Sequence, residues 1–130
     1  MSASQDLVDR IPYARFLGLR VERDDEGLLC VLPFRQEIVG NARLPAVHGG
    51  VVGSFLELTA LLGLLDQSEG PGIPKPINMS VDFLRSARGT DTRARAGIVK
   101  LGRRVANVRV LAWQDDPEKP VAAGIGNFRL

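Results

Sequence analysis

Residues 48 to 65, HGGVVGSFLELTALLGLL, constrain this chain more than any other stretch. Seventeen residues separate His48 from Asp66, and only Glu57, at their middle, carries a charge. A run that apolar belongs in a core, and a lone carboxylate in a core is costly unless something pairs with it or uses it. The run has no proline, and its leucines and alanine are good helix formers, so it predicts a helix from Gly49 or Gly50 to about Leu65. Apolar residues surround that helix rather than lining one stripe, which predicts enclosure on most sides. By length a membrane span would also fit, but His48, Glu57 and five glycines and prolines between residues 44 and 65 argue against one.

The rest of the chain alternates where this run does not. Leu19 and Val21 against Arg20 and Glu22, then Leu28 to Phe34, predict two strands joined at the turn Asp24-Asp25-Glu26-Gly27. Ile77, Met79, Val81 and Phe83 alternate with polar residues, as do Thr92, Ala94, Ala96 and Ile98. Val105 to Trp113 and Val121 to Leu130 complete four strands, which short separators would connect as a meander of hairpins. Residues 35 to 47, with a Gly, a Pro and no clean period, read as a loop, and residues 5 to 17 as a short N-terminal helix or cap. The expected class is α+β, an antiparallel sheet wrapped round one buried helix.

With 130 residues, one domain over 1–130, with 1–17 as its cap, is the expected organisation. Cys30 is the only cysteine and fits a reducing compartment, and no signal peptide is evident, so a cytoplasmic location is expected. Nucleic acid is a poor partner for a net charge of +2 and 5% aromatics. With one His and a distant Cys, neither a His-based metal site nor a Cys–His dyad is expected.

Glu57 has two readings: a carboxylate that merely reaches solvent or a subunit partner, or one with a raised pKa in a desolvated pocket, working as base or nucleophile. No Lys or Arg lies within four residues of it, which favours the second. His48-Gly49-Gly50 at the head of the helix suits a developing oxyanion, with His48 more a loop-fixing residue than a general base. Nine helical positions put Glu57 about 13 Å from His48, too far to serve the same reacting atom as Gly49 of its own chain. If both act, they meet across the interface of a symmetric dimer. The arginines fall in the strand half; most face solvent, and Arg103-Arg104 at a turn could bind phosphate.

These residues resemble the hotdog-fold acyl-CoA thioesterases of the PaaI-like family. The resemblance rests on His48-Gly49-Gly50, an acid nine positions after the His, NMSVDFLRSARG at 78–89, KLGRRVANVRV at 100–110 and AAGIGNFRL at 122–130. It covers the chain from about residue 17 onward and implies a hotdog fold, a homodimer whose two sheets become one, often a dimer of dimers, and hydrolysis of an acyl-CoA thioester. It further implies the Gly49 N–H as donor to the thioester carbonyl and Glu57 of the opposite subunit as base or nucleophile. Asn41 would help position the water or carboxylate, although it lies seven residues before His48, one more than the family spacing. Gly50, Val81, Phe83, Arg85, Arg103 and Arg104 are the expected substrate contacts; coenzyme A enters as part of the substrate and no other cofactor is expected. Glu stands where many relatives have Asp, and Leu61 replaces a hydroxyl that some carry one turn after the acid. A non-catalytic acyl-CoA-binding module, and behind it a hydratase or dehydratase, are the alternatives.

Overall fold

A 19-residue helix packs against one face of a six-stranded antiparallel sheet. The computed structural model describes residues 3–41, 43–67 and 72–130, without the side chains of residues 3, 4, 41, 44 and 45. Two short helices, α1 (Ala3–Asp9) and α2 (Pro12–Leu17), open the chain. Gly18 ends α2 in the left-handed conformation at φ 70°, its N–H returning to the carbonyls of Ala14 and Arg15. The hairpin β1 (Arg20–Asp24) and β2 (Gly27–Leu32) follows, with Gly27 at φ 110° in its turn. Arg95 holds that turn from the neighbouring strand, gripping Asp24 with both terminal nitrogens at 2.7 and 3.0 Å. The guanidinium holds the Asp24 carboxyl below its ordinary range.

Residues 35–47, expected as a loop, are a 3₁₀ turn (Gln36–Ile38) and a small separate ribbon of β3 (Val39–Asn41) and β4 (Leu44–Val47). Strands this short carry too few side chains to show a period. The ribbon delivers the chain to the main helix, α3 (Gly49–Gln67). By length and composition α3 could cross a membrane, yet Phe55, Leu56, Ala60 and Leu62 are wholly buried under the sheet. Each such large apolar side chain contributes about 2 kcal/mol by leaving water.

The remaining strands are β5 (Lys75–Phe83), β6 (Thr92–Leu101), β7 (Val105–Trp113) and β8 (Ala122–Arg129). The sheet order is β1-β2-β6-β7-β8-β5, which corrects the expected four-strand meander. Only β6, β7 and β8 are joined as neighbours; β5 pairs with β8 at the far edge, and β6 turns to β2. The segment after β5 is therefore a crossover rather than a hairpin turn. Three strand spacings, about 14 Å, must be crossed, and the eight residues from 84 to 91 can reach at most about 27 Å. Hydrogen bonds from the Leu84 and Arg85 N–H groups to the Val121 carbonyl, and from the Val47 N–H to the Ala87 carbonyl, fasten it down. Small inward residues, Ala94, Ala106, Ala112 and Ala122, let α3 lie close to the sheet.

Candidate active site

Helix α3 is not enclosed on every side. Positions 49, 53 and 57 follow one another at four-residue spacing, and 50 and 54 lie beside them, so they share a face. That face carries Gly49, Gly50, Gly53, Ser54 and Glu57 and stays open to solvent in the single chain. It forms one wall of a groove of about 550 Å³ whose other wall is Met79, Val81 and Phe83 of the edge strand β5. The strand wall exists because β8 leaves room: a Cβ at Gly124 would lie 2.7 Å from Met79 Cε, and one at Gly126 2.6 Å from its Sδ.

Glu57 is half-buried on this wall, and among the described residues no cation or donor pairs with it. The expected carboxylate without a local partner is therefore present, at an open groove rather than in a closed pocket of its own chain. Ser54, one turn before it, donates to the Gly50 carbonyl at 2.8 Å. Sequence reasoning passed over Ser54 and Gly53; their three- and four-residue offsets from Glu57 were the available signal.

At the head of the helix, His48 Nδ1 accepts the Gly50 N–H at 2.9 Å, and the His48 carbonyl accepts those of Val51 and Val52. The Gly49 N–H meets no acceptor among the described residues. A free N–H on the first turn of a 19-residue helix carries the positive end of its dipole. A Cβ at Gly49 would make only ordinary contact, 3.7 Å from Phe83, so the chain's own packing does not demand a glycine there. His48 is thus tied by its ring, its N–H and its carbonyl to the junction of ribbon and helix.

The other expected residues fall in four places. Val81 and Phe83 line the groove, and Phe83 is 60% exposed. Arg85 lies in an adjoining groove that shares Gly49 and Phe83, with its guanidinium donating to the Pro120 carbonyl at 2.8 Å. Arg103 and Arg104 line a separate groove with Lys100, Asn107 and Asn127 at the β6–β7 turn. Strand register puts Phe83, Ala122 and Ala112 at one end of the sheet, and Lys75, Arg129 and Val105 at the other. Eight strand positions make that separation about 26 Å, so Arg103 and Arg104 sit far from Gly49 of the same chain. Asn41 ends β3, and its side chain lies outside the described atoms. Thr59 is buried and donates to the Phe55 carbonyl at 2.8 Å, on a face turned away from the groove.

Residues 44–121, from β4 through β8's approach, match the family model described as the thioesterase superfamily. The chain is 30% identical over 124 residues to the medium/long-chain acyl-CoA thioesterase YigI of Salmonella typhimurium, covering 84% of this chain and 79% of that protein. YigI of Escherichia coli K12 is 30% identical over 118 residues, at 79% and 76% coverage. Among solved structures, a Chromobacterium violaceum protein is 36% identical with a TM-score of 0.76, covering 100% of this chain and 97% of its own. A Bacillus halodurans protein solved with CoA shares the fold at 19% identity and a TM-score of 0.81, with coverages of 99% and 94%. The chain belongs to the thioesterase superfamily, a hotdog-fold thioester hydrolase of the kind its His-Gly-Gly motif resembles.

Proposed function

We propose that the protein is a cytoplasmic acyl-CoA thioesterase working as a homodimer, with each active site built from Gly49 of one subunit and Glu57 of the other. The observation that carries this is the pairing of an uncompensated carboxylate and an unengaged helix N–H on one glycine-lined face. An antiparallel two-fold contact of the helices through Gly53 would set each residue level with the one whose number completes 106. Gly49 then stands opposite Glu57, and the roughly 12 Å that separates them in one chain is bridged by the partner. Nothing within 4 Å occupies the space over Gly53, which lets two helices approach closely. The exposed edge strand β5 favours the same symmetry, since its N–H and C=O groups await a partner strand.

In this arrangement the thioester carbonyl lies at the Gly49 N–H, which stabilises the oxyanion as the carbonyl carbon becomes tetrahedral. Glu57 either draws a proton from water or attacks directly, forming an anhydride that water then hydrolyses. By both routes a C–O bond replaces the C–S bond, and the proton ends on the sulfur of CoA. Antiparallel pairing of β5 would bring the partner's β6–β7 turn to the sheet end that holds Gly49. Arg103 and Arg104 would then meet the phosphates of CoA bound at the other subunit's donor. Asn41 remains a candidate for orienting the water, and association of the outer sheet faces would join two dimers into a dimer of dimers.

The test is CoA thiol release over a series of acyl-CoAs, beginning with the medium and long chains for which YigI is named. Glu57→Gln should lower turnover by a factor on the order of 10³ while dimer mass and melting temperature persist. Undiminished turnover in that variant would remove Glu57 from the mechanism.

A further inference from the structure

The imidazole of His48 is held between two glycines. A Cβ at Gly40 would lie 3.0 Å from its Cδ2 and 3.1 Å from the His48 Cα, and a Cβ at Gly50 would lie 3.0 Å from its Nδ1. Four N–H groups at a helix start lack a partner within the helix. Here those of His48, Gly50 and Val51 are all engaged, by the Ile38 carbonyl at 2.8 Å, by His48 Nδ1 at 2.9 Å and by the His48 carbonyl at 2.9 Å. Among the described residues, only the Gly49 N–H of these four has no acceptor. Ser, Thr, Asp or Asn ordinarily accept the second or third N–H of a helix; in this chain a ring nitrogen does so. Because Nδ1 accepts, the hydrogen of the neutral ring belongs on Nε2.

We propose that Gly40 and His48 are positioning residues. His48 acts as a hydrogen-bond acceptor that caps α3, Gly40 supplies the space its ring requires, and together they leave the Gly49 N–H, beside the groove, free to donate to a substrate. The inference rests on the reading of Gly49 as oxyanion donor, and it assigns His48 no proton transfer with substrate or water. The ring's place is set by the β3 backbone on one side and the first helical turn on the other. Displacing it turns the Gly49 amide away from the carbonyl while Glu57 stays where it is.

Two measurements test this. In the intact, ¹⁵N-labelled protein, a scalar coupling across the hydrogen bond should link the Gly50 amide nitrogen to His48 Nδ1. Its absence, with a proton found on Nδ1, overturns the cap whatever the protein hydrolyses. In thiol-release kinetics on folded dimers, His48→Ala and Gly40→Ala should each lower kcat by about tenfold to a hundredfold, less than loss of a whole donor, with KM within about twofold. His48→Asn, which keeps an acceptor suited to a helix start, should recover kcat to within about threefold of the parent. Equal losses in His48→Asn and His48→Ala would mean that the ring performs chemistry an acceptor cannot, and a fully active Gly40→Ala would mean that the ring's seat does not matter; either result overturns the proposal. If Glu57→Gln retains turnover, the functional reading fails separately, and the nitrogen–nitrogen coupling still decides the cap.

Discussion

Gly53 and Gly63 lie ten residues apart on one helix and answer to different demands. A Cβ on Gly63 would come 2.9 Å from Ala96 Cβ, whereas one on Gly53 would meet nothing within 4 Å. Gly63 is a glycine because the sheet is already there. Gly53 has no such reason inside its own chain, and it sits on the face that carries Glu57. The C-terminal half of α3 is therefore packed closely against the sheet at Gly63, whereas the N-terminal half leaves the space over Gly53 open in the single chain. The same contrast separates the glycines of β8, which yield space to Met79, from Gly49, whose neighbour Phe83 stands at ordinary contact distance.

The comparison can be broken most directly at Gly53. Gly53→Leu should leave the monomer folded but disrupt helix pairing, with turnover falling on the order of a hundredfold because both halves of the site separate. Sedimentation of a fully active dimer in that variant would remove the two-fold contact from this face. Gly63→Ala should do the opposite, costing about 1–3 kcal/mol in denaturant unfolding while specific activity of the folded fraction is kept. An unchanged midpoint would mean that α3 and β6 can move apart freely.

Reversing charge at Arg103 and Arg104 should raise KM for acyl-CoA about fivefold to tenfold with a smaller change in kcat. No change in either constant would separate those arginines from the substrate. A last effect, confined to alkaline pH, concerns the packed core alone. Burial pushes the Cys30 thiol up to about 12 from its ordinary 9.0, so between those values the unfolded chain has released a proton that the folded chain retains. Stability from this group is fully present below pH 9.0 and should fall by about 1.4 kcal/mol per pH unit above it. Urea midpoints between pH 8 and pH 10.5 check the sign, and a midpoint that rises with pH would contradict it.

Much of the fold was legible because burial writes itself into period. The uniformly apolar run at 49–65 marked α3, and the alternation at 105–113 marked β7 with the bounds observed. Alternation tells which side of a strand is buried, but it does not tell which strand lies beside it. That is why β5 was expected next to β6, and why only the wrapped sheet, with β5 hydrogen-bonded to β8 across register from Lys75 to Phe83, corrected it. The site divided in the same way. Glu57 stood out by charge alone, and the helical rise between it and Gly49 required a second subunit if both were to act.

By itself, then, the amino-acid sequence determined that one long apolar helix would be covered by strands, that its apolar run from 49 to 65 would carry a single acid, and that glycines would stand at its head. Those are local matters of composition and spacing. The tertiary structure decided that the face shared by the acid, Gly49 and Gly53 stays open, because β5 was carried to the sheet edge and α3 was left uncovered along that side. It also decided that Arg103 and Arg104 stand at the opposite end of the sheet, since strand pairing, and not sequence distance, sets which ends of the chain lie together.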